Sequence, residues 1–487
     1  MGSTNRTTLA YTLESTPGVT PATPPFTALR VTSNTPSFTP KTTTSNELRA
    51  DRQTTDLILI DAESAGDTAI ELSFRAFDDM IQAALQGTWS SDPLITVLTT
   101  GVEISALSTT TATVVTPLGT PFKAGMLVNT GGFANAANNG LLAVVVSSSA
   151  TAVVFGASTF TVDASPLAGA KLQVCGFQGA SADITATATG LASTSLDFTT
   201  LGLSVGEWIK IGGDSAGLAF ATAALNSWAR VTAVAAHAVT LDNLPSGWTT
   251  DAGTGKTLQI FTGDFLKNGT TVRSFTLERQ QQDITVPSFE YFPGSQLDKW
   301  SLDFKAASIL AGSFAFIGTT GSVLTTRLAG ATDIAAPTFS VLNTSSNVGR
   351  MAVGGTLVAG PSFFQDIGLD LANNLAGQKA IGTLGSVGIR NGSLSLSGKI
   401  NAYFGDTALL AAAIANTQTS IMMKTNRTDL NREGYVFDIP ALKITGSAPV
   451  PGKDQDRYFS GSYQAFRHST LGYTVSCCRF PYLPVAN

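Results

Sequence analysis

One short segment has the residue types and spacing of a phosphate-binding loop. DAGTGKTLQI (251–260) places Gly255, Lys256 and Thr257 together, as such loops do. Thr250 stands where the loop needs its leading glycine, and an apolar strand rather than a helix is predicted to follow. The segment therefore predicts a β-turn and not a phosphate site.

No other residues form a catalytic or metal-binding pattern. The two histidines, His237 and His468, have no cysteine partners at zinc spacing, and no nucleophile elbow or spaced carboxylate pair is present. Cys175, Cys477 and Cys478 are too few for a disulfide framework, and we interpret them as reduced, structural thiols of a chain made in a cytoplasm. We predict no enzyme activity, no cofactor and no metal.

Charged residues concentrate in two segments, which are the candidate contact sites. Each is either a solvated strand edge or a surface whose complementary charges fix the register of a neighbouring subunit. The residues are Glu47, Arg49, Asp51, Arg52 and Asp56 in ELRADRQTTD, with Asp61 and Glu63 beyond it, and Lys453, Asp454, Asp456 and Arg457 in PGKDQDRYF.

The bulk composition indicates a multidomain β protein. The 487 residues exceed one hydrophobic core and predict roughly three or four domains, while only 13% of them are charged. Sparse charge is typical of surface that becomes hidden in an assembly. The net charge of −5 argues against a protein that grips DNA. The N-terminus has no apolar signal core, and the apolar runs 141–146 and 408–415 are too short to span a bilayer, so we expect no membrane insertion.

A strand–helix unit at 45–89 organises the chain. A strand is predicted at 57–60, a glycine-containing loop at 61–68, and an alternating strand from Ala69, with Glu71, Ser73 and Arg75 on its polar face. The spacing then changes to that of an amphipathic helix, which ends at Gly87.

The middle of the chain contains an internal repeat. AGMLVNTGGF (124–133) resembles VGEWIKIGGD (205–214), and GAKLQV (169–174) resembles GKTLQI (255–260). Offsets of roughly 81 to 87 residues predict two small all-β modules, inserted at an exposed loop of the surrounding domain.

The order of strand, strand, helix and further strands recurs near 374–480 and predicts a tandem duplication. SLSLSGKINAYF (393–404) is the second alternating strand, and GSYQAF (461–466) matches GSFAF (312–316). We therefore predict a mainly β chain with a first, discontinuous domain at 1–96 and 265–335, modules at 97–181 and 182–264, and a second domain at 336–487.

The sequence resembles a known family over roughly 1–90 and 270–487. It looks like the major tail tube protein of long, non-contractile-tailed bacteriophages, the siphophage type. The stretches that carry the resemblance are LAYTLESTPGVTP, SNELRADRQTTD and AIELSFRAFDDMIQAALQGTW near the N-terminus, and GSLSLSGKINAYFGD, GYVFDIPALKITG and PGKDQDRYFSGSYQAF near the C-terminus.

The resemblance implies β-sandwich domains, each flanked by a short helix, that form stacked rings around a channel for the genome. Two such domains in one chain predict a homotrimeric, pseudo-hexameric ring, with a hexamer as the alternative. The hairpins 49–74 and 376–402 are then expected to line the channel, and the loop 61–68 to join rings. The candidate wall residues are Glu71, Ser73, Arg75, Ser395, Ser397, Lys399 and Asn401.

The resemblance also implies partners and a location. It implies tail terminator, tape-measure and tail-tip proteins as partners, DNA that passes without specific binding, assembly in the host cytoplasm, and immunoglobulin-like modules that decorate the outside. A β-repeat adhesin or receptor-binding fibre, and a β-rich enzyme of carbohydrate chemistry, remain alternatives. The adhesin would explain 97–264 but not the two strand–helix units.

Overall fold

The computed structural model describes most of the chain. Outside the description are residues 1–5, 91–93, 96–103, 116–120, 157–158, 165–168, 355, 358–362, 406, 430, 448–452, 455 and 486–487. The described residues are mainly β, with two α-helices, as the sequence predicts.

The elements fall into four stretches of the chain. The first contains β1 (Thr7–Glu14), β2 (Pro25–Ala28), β3 (Val31–Asn34), β4 (Ser37–Thr44), β5 (Leu57–Glu71) and α1 (Asp78–Ala84). The second, the inserted region, contains β6 (Leu94–Ile95), β7 (Ile104–Leu107), β8 (Thr111–Val114), β9 (Met126–Gly131), β10 (Leu142–Ser148), β11 (Ala152–Phe155), β12 (Lys171–Gln178), β13 (Thr185–Thr187), β14 (Gly190–Ala192), β15 (Trp208–Ile211), β16 (Trp228–Ala235), β17 (Ala238–Asp242) and β18 (Gln259–Phe261). The third contains β19 (Asp264–Lys267), β20 (Ser274–Gln281), β21 (Ser288–Lys305), β22 (Ala311–Gly318), β23 (Ser322–Leu324) and β24 (Thr332–Ile334). The fourth contains β25 (Val348–Val353), β26 (Thr356–Leu357), β27 (Phe364–Ala372), β28 (Ala376–Gln378), β29 (Gly388–Arg390), β30 (Ser395–Tyr403), α2 (Ala408–Ile414), β31 (Gln418–Asn426), β32 (Gly434–Ser447), β33 (Tyr458–Ala465) and β34 (Ser476–Phe480).

The same strand pairings occur twice around the two helices. Repeat A (β1–β5, α1 and β19–β24) pairs β1–β20, β20–β21, β21–β22, β22–β5 and β5–β3. Repeat B (β25–β34 and α2) pairs β25–β31, β31–β32, β32–β33, β33–β30 and β30–β27 in the corresponding order. Even a hydroxyl pair recurs, Ser301–Ser313 at 2.8 Å and Thr445–Ser462 at 2.9 Å. The two helices are likewise equivalent, 330 positions apart (408 against 78).

The two repeats join into one continuous sheet. Strand β21 of repeat A pairs antiparallel with β27 of repeat B over seven residue pairs, from Lys299 opposite Ala372 to Lys305 opposite Asp366. A second connection pairs β19 with the C-terminal strand β34. A single core lies beneath, in which Leu302 and Trp300 from repeat A meet Phe437 from repeat B.

The inserted region forms its own thirteen-stranded sheet with an internal repeat of its own. The pairings β7–β8, β8–β11, β11–β10, β10–β9 and β9–β12 recur as β13–β14, β14–β17, β17–β16, β16–β15 and β15–β18. Asn139 hydrogen-bonds both backbone groups of Phe133, at 2.8 and 2.9 Å, and Asn226 does the same to Phe220 at the same distances. The two halves of the inserted region therefore share loop structure as well as sequence similarity.

This region packs against repeat B although its ends belong to repeat A. Trp208 and Trp228 are buried against Phe480 of the C-terminal strand. Arg230, buried in the same contact, bonds Asp438 of β32 at 2.9 Å and Asp242 of its own sheet at 2.7 Å. An apolar contact with an ion pair inside it fixes orientation, because the charged groups tolerate only one geometry.

Strand β5 differs from the predicted pattern. It is continuous from Leu57 to Glu71, so the predicted loop at 61–68 is wrong. Residues 61–65 pair with β4 and residues 64–71 pair with β22, so every residue of 61–68, including Gly66, has a partner strand. The chain reverses instead between β4 and β5, in the loop 45–56.

Candidate assembly surfaces

One face of the long sheet is open and polar along its whole width. Across residues 64–71 of β5, 299–305 of β21, 443–446 of β32 and the strands β22, β27, β30 and β33, inward residues that pack into the core alternate with residues that face outward. The outward positions are mostly serine, alanine and glycine. The charged ones are the carboxylates Asp67, Glu71, Asp303, Asp366 and Asp370 and the lysines Lys299, Lys305, Lys399 and Lys443. Five negative and four positive charges leave this face nearly neutral.

Lys399 lies at the centre of the open face and bridges the two repeats. Its Nζ is 3.2 Å from Asp303 on β21 and 3.1 Å from Asp366 on β27. The side chain crosses Gly368, where a Cβ would come within 3.3 Å of both the Asp303 oxygen and the lysine stem. A residue without a side chain at 368 therefore allows the ion pair to span the junction.

Asp370 is the open-face carboxylate with the clearest perturbation. Partial burial, and then the negative charge of Asp303, raises the pKa of the Asp370 carboxyl above its ordinary value of 3.8. Lys399 opposes this shift but does not reverse it. Ionised Asp370 is thus a local cost to the folded chain.

The predicted wall residues divide into two groups. Glu71, at the end of β5, lies on the open face, and so do four residues of β30: Ser395, Ser397, Lys399 and Asn401. Ser73 and Arg75 were wrongly assigned to this face, because β5 ends at Glu71. The role of Glu71 and these four β30 residues as a channel wall stays a prediction.

Ser73 and Arg75 are held in the junction between elements. Ser73 is fully buried, and its hydroxyl accepts a bond from Arg30 at 2.9 Å. Arg75 has a left-handed backbone (φ 60°), and its N–H donates to the Tyr435 hydroxyl at 2.7 Å. The chain turns here to enter α1, which ends the alternation.

A hairpin of β4 and β5 extends beyond the body of repeat A. At its base Asp61 pairs with Lys379 at 2.9 Å, and Glu63 pairs with Lys41. Above these pairs four consecutive apolar residues, 57–60, are exposed by 45 to 62%. Four exposed apolar side chains in a row are unusual for a surface without a partner.

The two predicted charge clusters lie at opposite ends of the sheet. The loop 45–56 carries Glu47, Arg49, Asp51, Arg52 and Asp56 at the end where β5 begins. Lys453, Asp454, Asp456 and Arg457, all exposed, precede β33, whose first residue lies opposite the last residue of β30. Because β5 and β30 run in the same direction, this second cluster lies at the end of the sheet where β5 ends. The contacts predicted for both clusters are untested.

Two strand edges have no partner strand among the described residues. Inside the chain, β27 is sandwiched between β30 and β21, but the equivalent β3 pairs only with β5. Likewise β21 has both β22 and β27, whereas residues 444–447 of the equivalent β32 pair only with β33. A groove of about 630 Å³ runs along the open edge of β3, lined by Val31, Ser33, Asn34 and Arg279. Sequence patterns alone did not reveal these edges, since the signal lies in which strands pair.

The structure offers no catalytic arrangement among the described residues. Lys256 of the glycine-rich segment donates to the Ala216 carbonyl at 2.7 Å and a strand follows, as predicted. His237 lies in a turn rather than in a strand, and its Nδ1 is 2.9 Å from the Leu196 carbonyl. All three cysteines are buried, and they form no disulfide with one another.

Clusters of metal ligands and membrane-spanning helices are likewise absent from the described residues. No group of three or more metal-ligating side chains comes together in the part of the chain that the structure describes. Within that same part, neither helix has the length and apolar character to cross a membrane.

Comparison with known families assigns the class. The family model for phage tail tube protein matches the chain twice, over residues 4–232 and 215–465. The chain therefore belongs to the phage tail tube protein family, and the double match is consistent with a duplicated tube domain. Membership makes it a structural component of the virion that assembles with copies of itself and with other tail proteins. No curated protein matches the chain.

Proposed function

We propose that three copies of this chain close into a ring and that stacked rings form the tube of a long, non-contractile phage tail. Each repeat then acts as one tube domain of two packed sheets, and the ring has six of them. The observation that carries this proposal is the β21–β27 junction, together with the unpaired edges of the equivalent strands β32 and β3.

Ring closure repeats between chains the pairing that already exists within one chain. Strand β32 of one copy meets β3 of the next, so neither of these two edges is left exposed to aggregate. The register of the internal junction can be applied to the junction between copies. Within a chain, Asp303 lies opposite Gly368 and Leu302 lies opposite Leu369. At the equivalent positions, Ser447 of one copy lies opposite Ser33 of the next and Gly446 lies opposite Asn34.

The open face of the sheet then lines the channel. Small hydroxylated side chains and paired charges, such as Lys399 with Asp303, give a smooth and nearly neutral wall. DNA contacts a protein mainly through cations that neutralise phosphates, and here the central lysine is already neutralised. The genome passes without being retained.

Stacking joins the two ends of the ring. In a stack with one polarity, the loop 45–56 and the exposed apolar residues 57–60 of one ring meet the end of the next ring that carries 453–457. This hairpin, rather than the segment 61–68, is the ring-to-ring lock. Heterologous contacts of this kind propagate as a filament.

The inserted region decorates the outside as two immunoglobulin-like modules. Its docking on repeat B, through Trp208, Trp228 and Arg230, holds it on the side away from the open face. Tail terminator, tape-measure and tail-tip proteins complete the assembly, which takes place in the host cytoplasm.

Negative-stain electron microscopy of the purified chain tests the proposal. Hollow rings or tubes are the expected result. Discrete elongated particles at every concentration would contradict the proposal and favour an adhesin or receptor-binding fibre.

A further inference from the structure

Helices α1 and α2 have the same length and closely similar C-terminal backbone angles but differ in how they are covered. Each is followed by a residue of left-handed conformation, Gln86 (φ 47°) and Asn416 (φ 50°). Yet α1 has four buried residues, whereas α2 has none, and Ile414 is 77% exposed. The local sequence and fold of the helix do not account for this difference.

The cover of α1 comes in part from the following repeat. The Asn373 side chain, at the end of β27, donates to the Ala84 carbonyl at 3.0 Å. Tyr435 and Arg479 of repeat B both bind Asp78 in the first turn. Repeat B therefore closes over the far side of α1, and α2 has no following repeat in its own chain.

The missing cover of α2 can be identified by position. Ile414 is equivalent to Ala84, 330 positions earlier (414 against 84). Ser395 is equivalent to Ala65 by the same offset of 330 positions (395 against 65). Ser395 lies opposite Ala372 and Ala65 lies opposite Ser37, so Ser37 is equivalent to Ala372. The residue after Ser37 is therefore equivalent to Asn373. That residue is Phe38, an aromatic side chain only partly buried against the core that both repeats share.

We infer that Ile414 of one copy packs against Phe38 of the next, as the chain-to-chain counterpart of the Ala84–Asn373 contact. This inference rests on the proposed ring. At these positions the internal junction has Ala84, whose backbone carbonyl accepts a bond from the Asn373 amide. The junction between copies has the larger apolar side chains of Ile414 and Phe38 there, so its side-chain contact is hydrophobic. A hydrophobic contact suits an interface that must form from separate, soluble chains.

Substitution at position 414 is the direct test. Ile414→Asp places a charge in the contact and is expected to raise the concentration needed for ring assembly at least about tenfold. Ile414→Leu is the matched control, because it keeps an apolar side chain of the same volume, and it should assemble within about threefold of the parent chain. Since the side chain is exposed, both variants should melt at the parent temperature before assembly.

A disulfide test reports the partner residue. The double variant Phe38→Cys with Ile414→Cys, oxidised after assembly, should give covalently linked chains up to trimers, and either single variant should not. Rings of the Ile414→Asp variant at the parent concentration, or no interchain link in assembled rings of the double variant, would overturn the contact while leaving the ring intact. A parent chain that forms no ring at all would overturn the ring proposal and this contact with it.

Discussion

Asp370 shows how a single residue of the open face lowers the stability of the folded chain. Its raised pKa means that the folded chain holds the proton more tightly than the unfolded chain. The favourable contribution is complete below the ordinary value of 3.8 and is lost as the pH rises through the folded pKa. At neutral pH the ionised carboxylate therefore lowers stability.

Replacing this carboxylate with an amide removes that cost. Asp370→Asn is expected to raise the thermal midpoint of the unassembled chain at pH 7. The gain should shrink as the pH falls and disappear below about 3.8, the ordinary value for an aspartate. Thermal unfolding followed across this pH range measures it, and a gain that is constant with pH would contradict the assigned cause.

Asp438 is the residue on which docking of the inserted region depends most. It is fully buried and bonds Arg230, so Asp438→Ala leaves this arginine with Asp242 as its remaining carboxylate partner. Breaking a buried pair outright costs about 3 to 5 kcal/mol, and the retained Asp242 should keep the loss below that range. Urea unfolding should show this loss, and Asp242→Ala, at the more exposed partner of the same arginine, should lose clearly less. Equal losses would mean that the two carboxylates share the role.

At the scale of elements, the alternating strands and both helices were predictable because each buries one face. The run from Ala69 gave β5 its register, and the helix after it lies where predicted. The end of β5 was not predictable, since Ser73 fits the alternation but is buried by tertiary contacts to Arg30. The loop predicted at 61–68 failed for a related reason, because Gly66 in a strand resembles a turn although a Cβ there would collide with Pro36.

The edge of β3 permits a selective test of ring closure. The Thr35 N–H donates to the Asp67 carbonyl at 2.8 Å, and neighbouring residues of a strand direct their backbone groups to opposite edges. The Asn34 N–H therefore points to the open edge. Asn34→Pro removes this donor and should yield folded single chains that do not form rings, whereas Asn34→Ala should form them. Size-exclusion chromatography with light scattering separates the outcomes, and normal rings from the proline variant would exclude this edge.

The exposed apolar end of the β4–β5 hairpin permits a separate test of stacking. Changing Leu57 and Leu59 to serine removes apolar surface from side chains that are at least half exposed. We expect rings to form and tubes to be lost or shortened, as seen by electron microscopy. Serine in place of Val323, an exposed valine of β23 outside the hairpin, is the control and should give tubes of normal length. Full-length tubes from the hairpin variant would place the ring-to-ring contact elsewhere.

At the scale of the whole molecule, the duplication determines the proposed stoichiometry. Sequence patterns located both strand–helix units and the internal repeat of the insertion, because repeated units share composition as well as fold. They could not reveal that repeats A and B are already joined edge to edge through β21 and β27, since pairing between distant strands leaves no local pattern. That junction is what makes a threefold ring the natural closed assembly.

The mass of a single ring tests this account most directly. Native mass spectrometry of isolated rings should give about 151 kDa, three times the chain mass of 50.3 kDa. Symmetry analysis of tube images should show three inserted regions around each ring. A ring of six full chains, near 302 kDa on the same basis, would contradict the proposal that each chain supplies two of the six tube domains.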